Sequence, residues 1–280
     1  MTVTTTFKNA PTKTIDVGGT PFVYRELGAP GGVPLVFLHH LGAVLDNWDP
    51  RVVDGLAAAR HVITFDNRGV GASGGRTPKT IEATARDAVA FIRALGLDQV
   101  DLFGFSMGGM VAQVIAQTDP ELVRRLVLAG TGPAGGAGID KVTAITYVDM
   151  VRGALTLKDP KTYLFFTRTA NGKAAAKAYL ARLEERTSDR DTSIALRSFR
   201  AQLTAIHGWG RQAPADLSRI AHPVLVMNGD HDRMVPTSNT VDMAKRFPNA
   251  ELKVYPDAGH AGVFQYYDEF VTQVRDFLDR

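Results

Sequence analysis

Six residues, Gly104-Phe105-Ser106-Met107-Gly108-Gly109, constrain this chain more than any other stretch of it. The apolar run ending at Phe105 reads as a buried strand, and residues 110–117 read as a helix that stops before Asp119-Pro120. A serine between such a strand and such a helix sits on a strained turn, which closes only if its neighbours are small. The turn presents the hydroxyl to solvent, and the helix N-terminus behind it favours an oxyanion. Ser106 is therefore the candidate nucleophile.

The same strand-then-helix grammar runs on either side. Residues 34–39 (PLVFLH), 61–65 (HVITF), 125–129, 223–227 and 251–255 read as further strands. Residues 80–95 place Ile81, Ala85, Ala88, Ile92 and Leu95 on one helical face, with Gly96 as the stop, and a last helix starts near Gln265. Strands separated by helices imply parallel pairing with right-handed crossovers, hence an α/β fold whose sheet is covered on both faces. The alternation breaks from about Gly132 to Pro214, where the pattern is helical and residues 173–185 are rich in strong helix formers. The expected organisation is a core of residues 1–131 and 215–280, with 132–214 inserted as a helical unit before a later strand.

A serine hydroxyl needs a base, and the base needs an orienting carboxylate. His260 lies in Pro256-Asp257-Ala258-Gly259-His260-Ala261, between the last strand and the last helix. Such a loop lies at the carboxyl edge of the sheet, the same edge as the serine turn. His61, His207, His222 and His231 lack that setting. The carboxylate comes from the loop 228–236 (NGDHDRMVP), where Asp230 and Asp232 compete and one must be an ordinary turn residue.

Composition removes several rival chemistries. The chain has no cysteine, which excludes disulfides, thiolate metal sites and a cysteine nucleophile. A net charge of +3 without a block of like charges argues against nucleic acid as the main partner. Between Lys141 and Arg200, 12 Lys and Arg face 6 Asp and Glu, a local +6 that reads as a solvated helical face or as attraction for an anion. Residues 1–18 lack the apolar stretch of a signal peptide, and nowhere do 18 apolar residues run together, so a soluble cytoplasmic protein off the membrane is expected.

GFSMGG, the segment 65–73 (FDNRGVGAS), the acid loop GDHDRMVP and the terminal DAGHA together resemble the α/β-hydrolase superfamily over nearly the whole chain. The order Ser, Asp, His is the one expected there. The resemblance lies nearest to the cofactor-free esterase and haloperoxidase-like branch, and it implies a mostly parallel sheet with a helical cap at 132–214. It also implies that Asp232, three residues before Val235-Pro236, is the acid. The family usually carries His-Gly after the strand that PLVFLH represents, and the next residue donates a backbone N–H to the oxyanion. Here the sequence is His39-His40-Leu41-Gly42, so that Leu41 supplies one donor, Met107 the other, and His40 replaces the usual glycine. His40 itself reads either as a structural residue or as part of the pocket.

The expected chemistry is acyl transfer on a small-molecule ester-type substrate, through an acyl-enzyme and without metal or organic cofactor. The same triad can run perhydrolysis or cleave carbon–carbon bonds, and a non-enzymatic ligand-binding member of the fold is the alternative from another class. Asn67-Arg68 reads as a brace between loops. Trp48, Trp209, Tyr163, Phe165 and Phe166 read either as pocket lining or as plain core.

Overall fold

The computed structural model describes residues 5–280, so the reading of residues 1–18 falls partly outside the described residues. Eight strands form one sheet: β1 (Lys13–Asp16), β2 (Pro21–Leu27), β3 (Leu35–Leu38), β4 (Val62–Phe65), β5 (Val100–Phe105), β6 (Val123–Ala129), β7 (Val224–Gly229) and β8 (Ala250–Tyr255). Their order is β1-β2-β4-β3-β5-β6-β7-β8. The six from β3 to β8 pair in parallel, while β1 and β2 join antiparallel at the β4 edge.

Both faces of the parallel strands are buried, which is why they read as continuous apolar runs. Val36, Leu38, Leu102, Leu126, Leu128 and Val226 point to one side, against α2 (Ile81–Ala94) and α3 (Met107–Thr118). Leu35, Phe37, Phe103, Phe105, Val127 and Met227 point to the other. That side is covered by α1 (Pro50–Ala57) and the C-terminal helices. The start of α2 is capped by the Thr80 hydroxyl, which accepts the Ala83 N–H at 3.2 Å.

Between β6 and β7 the chain forms α4 (Val142–Thr156), α5 (Lys161–Leu164), α6 (Ala170–Leu183) and α7 (Leu196–Gly210). Helix α8 (Thr237–Arg246) then connects β7 to β8, and α9 (Gly262–Gln265) and α10 (Tyr267–Leu278) close the chain. From β3 the chain steps to β4 on one side, and every strand from β5 onward lies on the other. The loops after β3 and β5 therefore leave neighbouring strands in opposite directions and open a crevice at the carboxyl edge. Among the described residues, no helix is long and apolar enough to cross a membrane.

Candidate active site

Ser106 stands between β5 and α3 with φ 55° and ψ −115°, a conformation that costs a non-glycine residue on the order of 1–3 kcal/mol. The surroundings hold it there. Its N–H donates to the Ala129 carbonyl at 2.9 Å, and its carbonyl accepts the Gly109 N–H at 2.9 Å. A Cβ on Gly108 would overlap the Leu38 carbonyl oxygen, and one on Gly104 would run into the Gly108 backbone. The glycines thus let α3 start directly under β3, at Met107. That is three residues earlier than its apolar pattern suggests.

The loops after β7 and β8 bring an acid and a base together. Asp232 Oδ1 accepts the N–H groups of Met234 at 2.8 Å and Val235 at 3.0 Å. Its Oδ2 lies 2.8 Å from His260 Nδ1, and both side chains are buried. A carboxylate oxygen only accepts, so Nδ1 carries the proton and Nε2 is the basic nitrogen. The imidazole is wedged between Phe105, with ring centroids 5.0 Å apart, and Phe165, at 5.6 Å. Asp230 does different work. It pairs with the exposed His231 at 2.6 Å and accepts the Ala258 N–H at 3.0 Å, which ties the β7 loop to the turn bearing His260.

After β3, His39 is buried with its ring stacked on Trp48, centroids 5.1 Å apart, and burial pushes its pKa down to about 3. His40 Nδ1 donates to the Leu41 carbonyl at 2.9 Å, which leaves Nε2 unprotonated and without a partner among the described residues. Burial among Trp48, Phe105 and Phe165 holds the His40 imidazole well below its ordinary pKa, so it is neutral. Gly42 follows at φ 74°, and its N–H donates to Gln202 Oε1 on α7 at 2.8 Å. Among the described residues, the N–H groups of Leu41 and Met107 have no acceptor.

Ser106, His260, His40 and Leu41 line one cavity of about 220 Å³. Its other walls are mostly apolar, Met110, Val142, Met150, Phe165, Phe199 and Ile206 among them, with Thr146 on α4, Asp159 just before α5 and Lys161 at the start of α5 as polar exceptions. Of the five aromatics singled out in the sequence, only Phe165 lines this cavity. Trp48 packs against Phe37 and Phe103, Trp209 is buried with Nε1 donating to the Gly132 carbonyl, and Phe166 packs on Tyr179. Tyr163 lies under the Arg152 guanidinium. A larger cleft of about 620 Å³, lined by Arg76, Lys79, Arg197 and Arg200, contains none of the triad candidates.

The remaining histidines hold local contacts: His61 with Glu26, His207 with the Asp140 carbonyl and His222 with the Pro120 carbonyl. Arg68 braces the loop after β4 through Asp87 at 2.8 Å and Thr20 at 2.6 Å. The contributions of Gln202 and Thr146 escape sequence reading, because each is one polar residue inside a helical pattern with no motif around it. No cluster of His, Cys, Asp or Glu able to hold a metal ion occurs among the described residues.

Residues 33–266 match the family model described as alpha/beta hydrolase fold. An alpha/beta hydrolase fold protein from Chitinophaga pinensis superposes with a TM-score of 0.93 at 39% identity, covering 98% of this chain and 99% of its own. A Synechocystis protein named, provisionally, a non-heme chloroperoxidase is 28% identical, over 91% of this chain and 94% of its length. The 2-hydroxymuconate semialdehyde hydrolase of a Pseudomonas species is 29% identical over 96% of both chains.

Proposed function

The chain belongs to the α/β-hydrolase fold family, and we propose that within it this protein is a serine hydrolase cleaving carboxylic ester-type bonds of small molecules. One observation carries the reading: His260, held by Asp232 at 2.8 Å, lines the same cavity as a serine on a strained strand-to-helix turn. His260 Nε2 takes the Ser106 proton, the serine oxygen attacks the carbonyl, and the N–H groups of Leu41 and Met107 receive the oxyanion. Two such preorganised donors are worth several kcal/mol in the transition state. His260 then protonates the leaving alcohol, and water activated by the same imidazole releases the acid. Asp232 holds the tautomer and stabilises the imidazolium.

Residues 132–214 act as the cap in this scheme, and the enzyme works in the cytoplasm with no metal or organic cofactor. A fluorophosphonate probe should label Ser106, and Ser106→Ala should fold normally while losing at least ~10³-fold in ester turnover. Retention of most activity in that variant refutes the mechanism, whereas a wild type that takes no label and turns over no ester favours a non-enzymatic ligand-binding role. The name of the Pseudomonas relative supports a second reading, hydrolysis of a carbon–carbon bond by the same triad. A panel of p-nitrophenyl esters, lactones and diketo acids separates the two.

A further inference from the structure

The polar equipment of the cavity exceeds what the triad uses. On α4 the residues Val142, Thr146 and Met150 recur at helical spacing and line the cavity as one stripe. Thr146 is 1% exposed, and its hydroxyl has no hydrogen-bond partner among the described residues. This is unusual among the threonines of the chain's helices, although Thr131, in a loop, shares the unpaired state. Thr84, Thr118, Thr156, Thr204 and Thr272 also sit in helices, and each donates its hydroxyl to the carbonyl four residues back. A buried hydroxyl left unpaired is destabilising, and native proteins rarely keep one that nothing ever meets.

The cavity also has one cation on its wall. The Lys161 ammonium lies 3.5 Å from Asp159 Oδ2, a loose contact, while Asp159 Oδ1 is engaged by the Lys161 backbone N–H at 2.8 Å. The ammonium therefore keeps donors free for a group inside the cavity. Apart from Asp159, the walls around these two residues are apolar, so a plain alkyl chain would fill the space and leave the Thr146 hydroxyl stranded.

We infer that Thr146 and Lys161 form a subsite for a second oxygen acceptor on the acyl part of the substrate, which makes esters of oxo- or carboxy-substituted acids the preferred class. That the substrate is an ester rests on the proposed hydrolase function, whereas the acceptor site rests on Thr146 and Lys161 themselves. A cavity of about 220 Å³ holds only a small acyl group, so the acceptor lies a few bonds from the scissile carbonyl.

The test is binding to the Ser106→Ala protein, measured by calorimetry with methyl pentanoate, methyl 4-oxopentanoate and monomethyl glutarate. The oxo or the carboxy ester should bind about 10-fold more tightly than the plain ester, the size of one hydrogen bond made to an otherwise unpaired group. Adding Thr146→Val should erase that advantage for the oxo ester and reduce it for the carboxy ester. The change removes an unpaired hydroxyl at constant shape, so this variant should melt at or above its parent. Lys161→Gln should weaken only the carboxy ester. Equal binding of the three ligands, or an oxo-ester preference that survives Thr146→Val, overturns the subsite. So does a marked loss of stability in Thr146→Val, which would give the hydroxyl a structural partner. Binding needs no nucleophile. A protein that shows this pattern yet hydrolyses none of the three esters keeps the subsite and loses only the ester-hydrolase reading.

Discussion

Replacing Asp232 by Asn tests the acid–base pair with the least disturbance of shape, and the structure sets the outcome. Oδ1 of Asp232 accepts two backbone N–H groups, from Met234 and Val235. An asparagine must keep its carbonyl oxygen there, because flipping the amide would aim its NH2 at two other donors. The NH2 then occupies the Oδ2 position, 2.8 Å from His260 Nδ1. A donor facing that nitrogen forces the proton onto Nε2, the nitrogen that has to accept from Ser106. The wrong tautomer costs about 10⁴-fold in kcat in the serine-protease triad, or ~5.5 kcal/mol of transition-state stabilisation, and a similar loss is expected here. Asp230→Asn keeps an oxygen to accept the Ala258 N–H and loses only an exposed contact with His231, so turnover should stay within about threefold of wild type. The assay is kcat on one good p-nitrophenyl ester for both variants, with thermal melts to check folding. An Asp232→Asn enzyme within tenfold of wild type, or a crippled Asp230→Asn enzyme, refutes the tautomer argument.

Phe165→Leu should shift preference toward longer acyl chains, whereas Phe166→Leu, buried against Tyr179 outside the catalytic cavity, should lower stability by about 1–2 kcal/mol without reordering substrates. Chain-length profiles that move equally in the two variants would remove Phe165 from the specificity wall. Burial, and then the neighbouring Asp191 carboxyl, raise the Asp66 pKa well above the ordinary carboxylate range. The folded protein therefore holds a proton that the unfolded chain releases. That contribution is fully present below about pH 4 and is lost as pH rises through the raised value. Asp66→Asn keeps an acceptor for the Leu45 N–H and should flatten the decline of melting temperature as pH rises above about 4; parallel curves for the two proteins would contradict this.

The parallel core was legible in the sequence because strands buried on both faces leave unbroken apolar runs, as in PLVFLH and HVITF. β1 and β2 were not. Lys13–Asp16 is an exposed edge strand with no apolar run, and Pro21–Leu27 carries Arg25 and Glu26 within an otherwise apolar stretch. Arg25 is fully buried through its ion pair with Asp46 at 2.6 Å, a contact 21 residues away that no local pattern announces. Ser106 and His260 were readable because strand ends, turns and chain order constrain them together, whereas Asp232 was separated from Asp230 only by the family resemblance. Thr146, Lys161 and Gln202 were invisible for the converse reason. Each takes its meaning from a neighbour in space, and helix periodicity says only which face it lies on.

The bond from Gly42 N–H to Gln202 Oε1 bears on any attempt to remake this protein by transplanting helices from a relative. Helix α7 does not only border the cavity; it holds the backbone next to Leu41. Nearby, Asp191 N–H donates to Asp46 Oδ2 at 2.7 Å, a second stitch between the same two regions. A chimera that imports a foreign stretch between β6 and β7 for its selectivity would also import, or forfeit, the clasp on the loop after β3. Selectivity and rate are therefore not separable modules in this chain, and a graft that keeps Gln202 and Asp191 starts from a different baseline than one that does not.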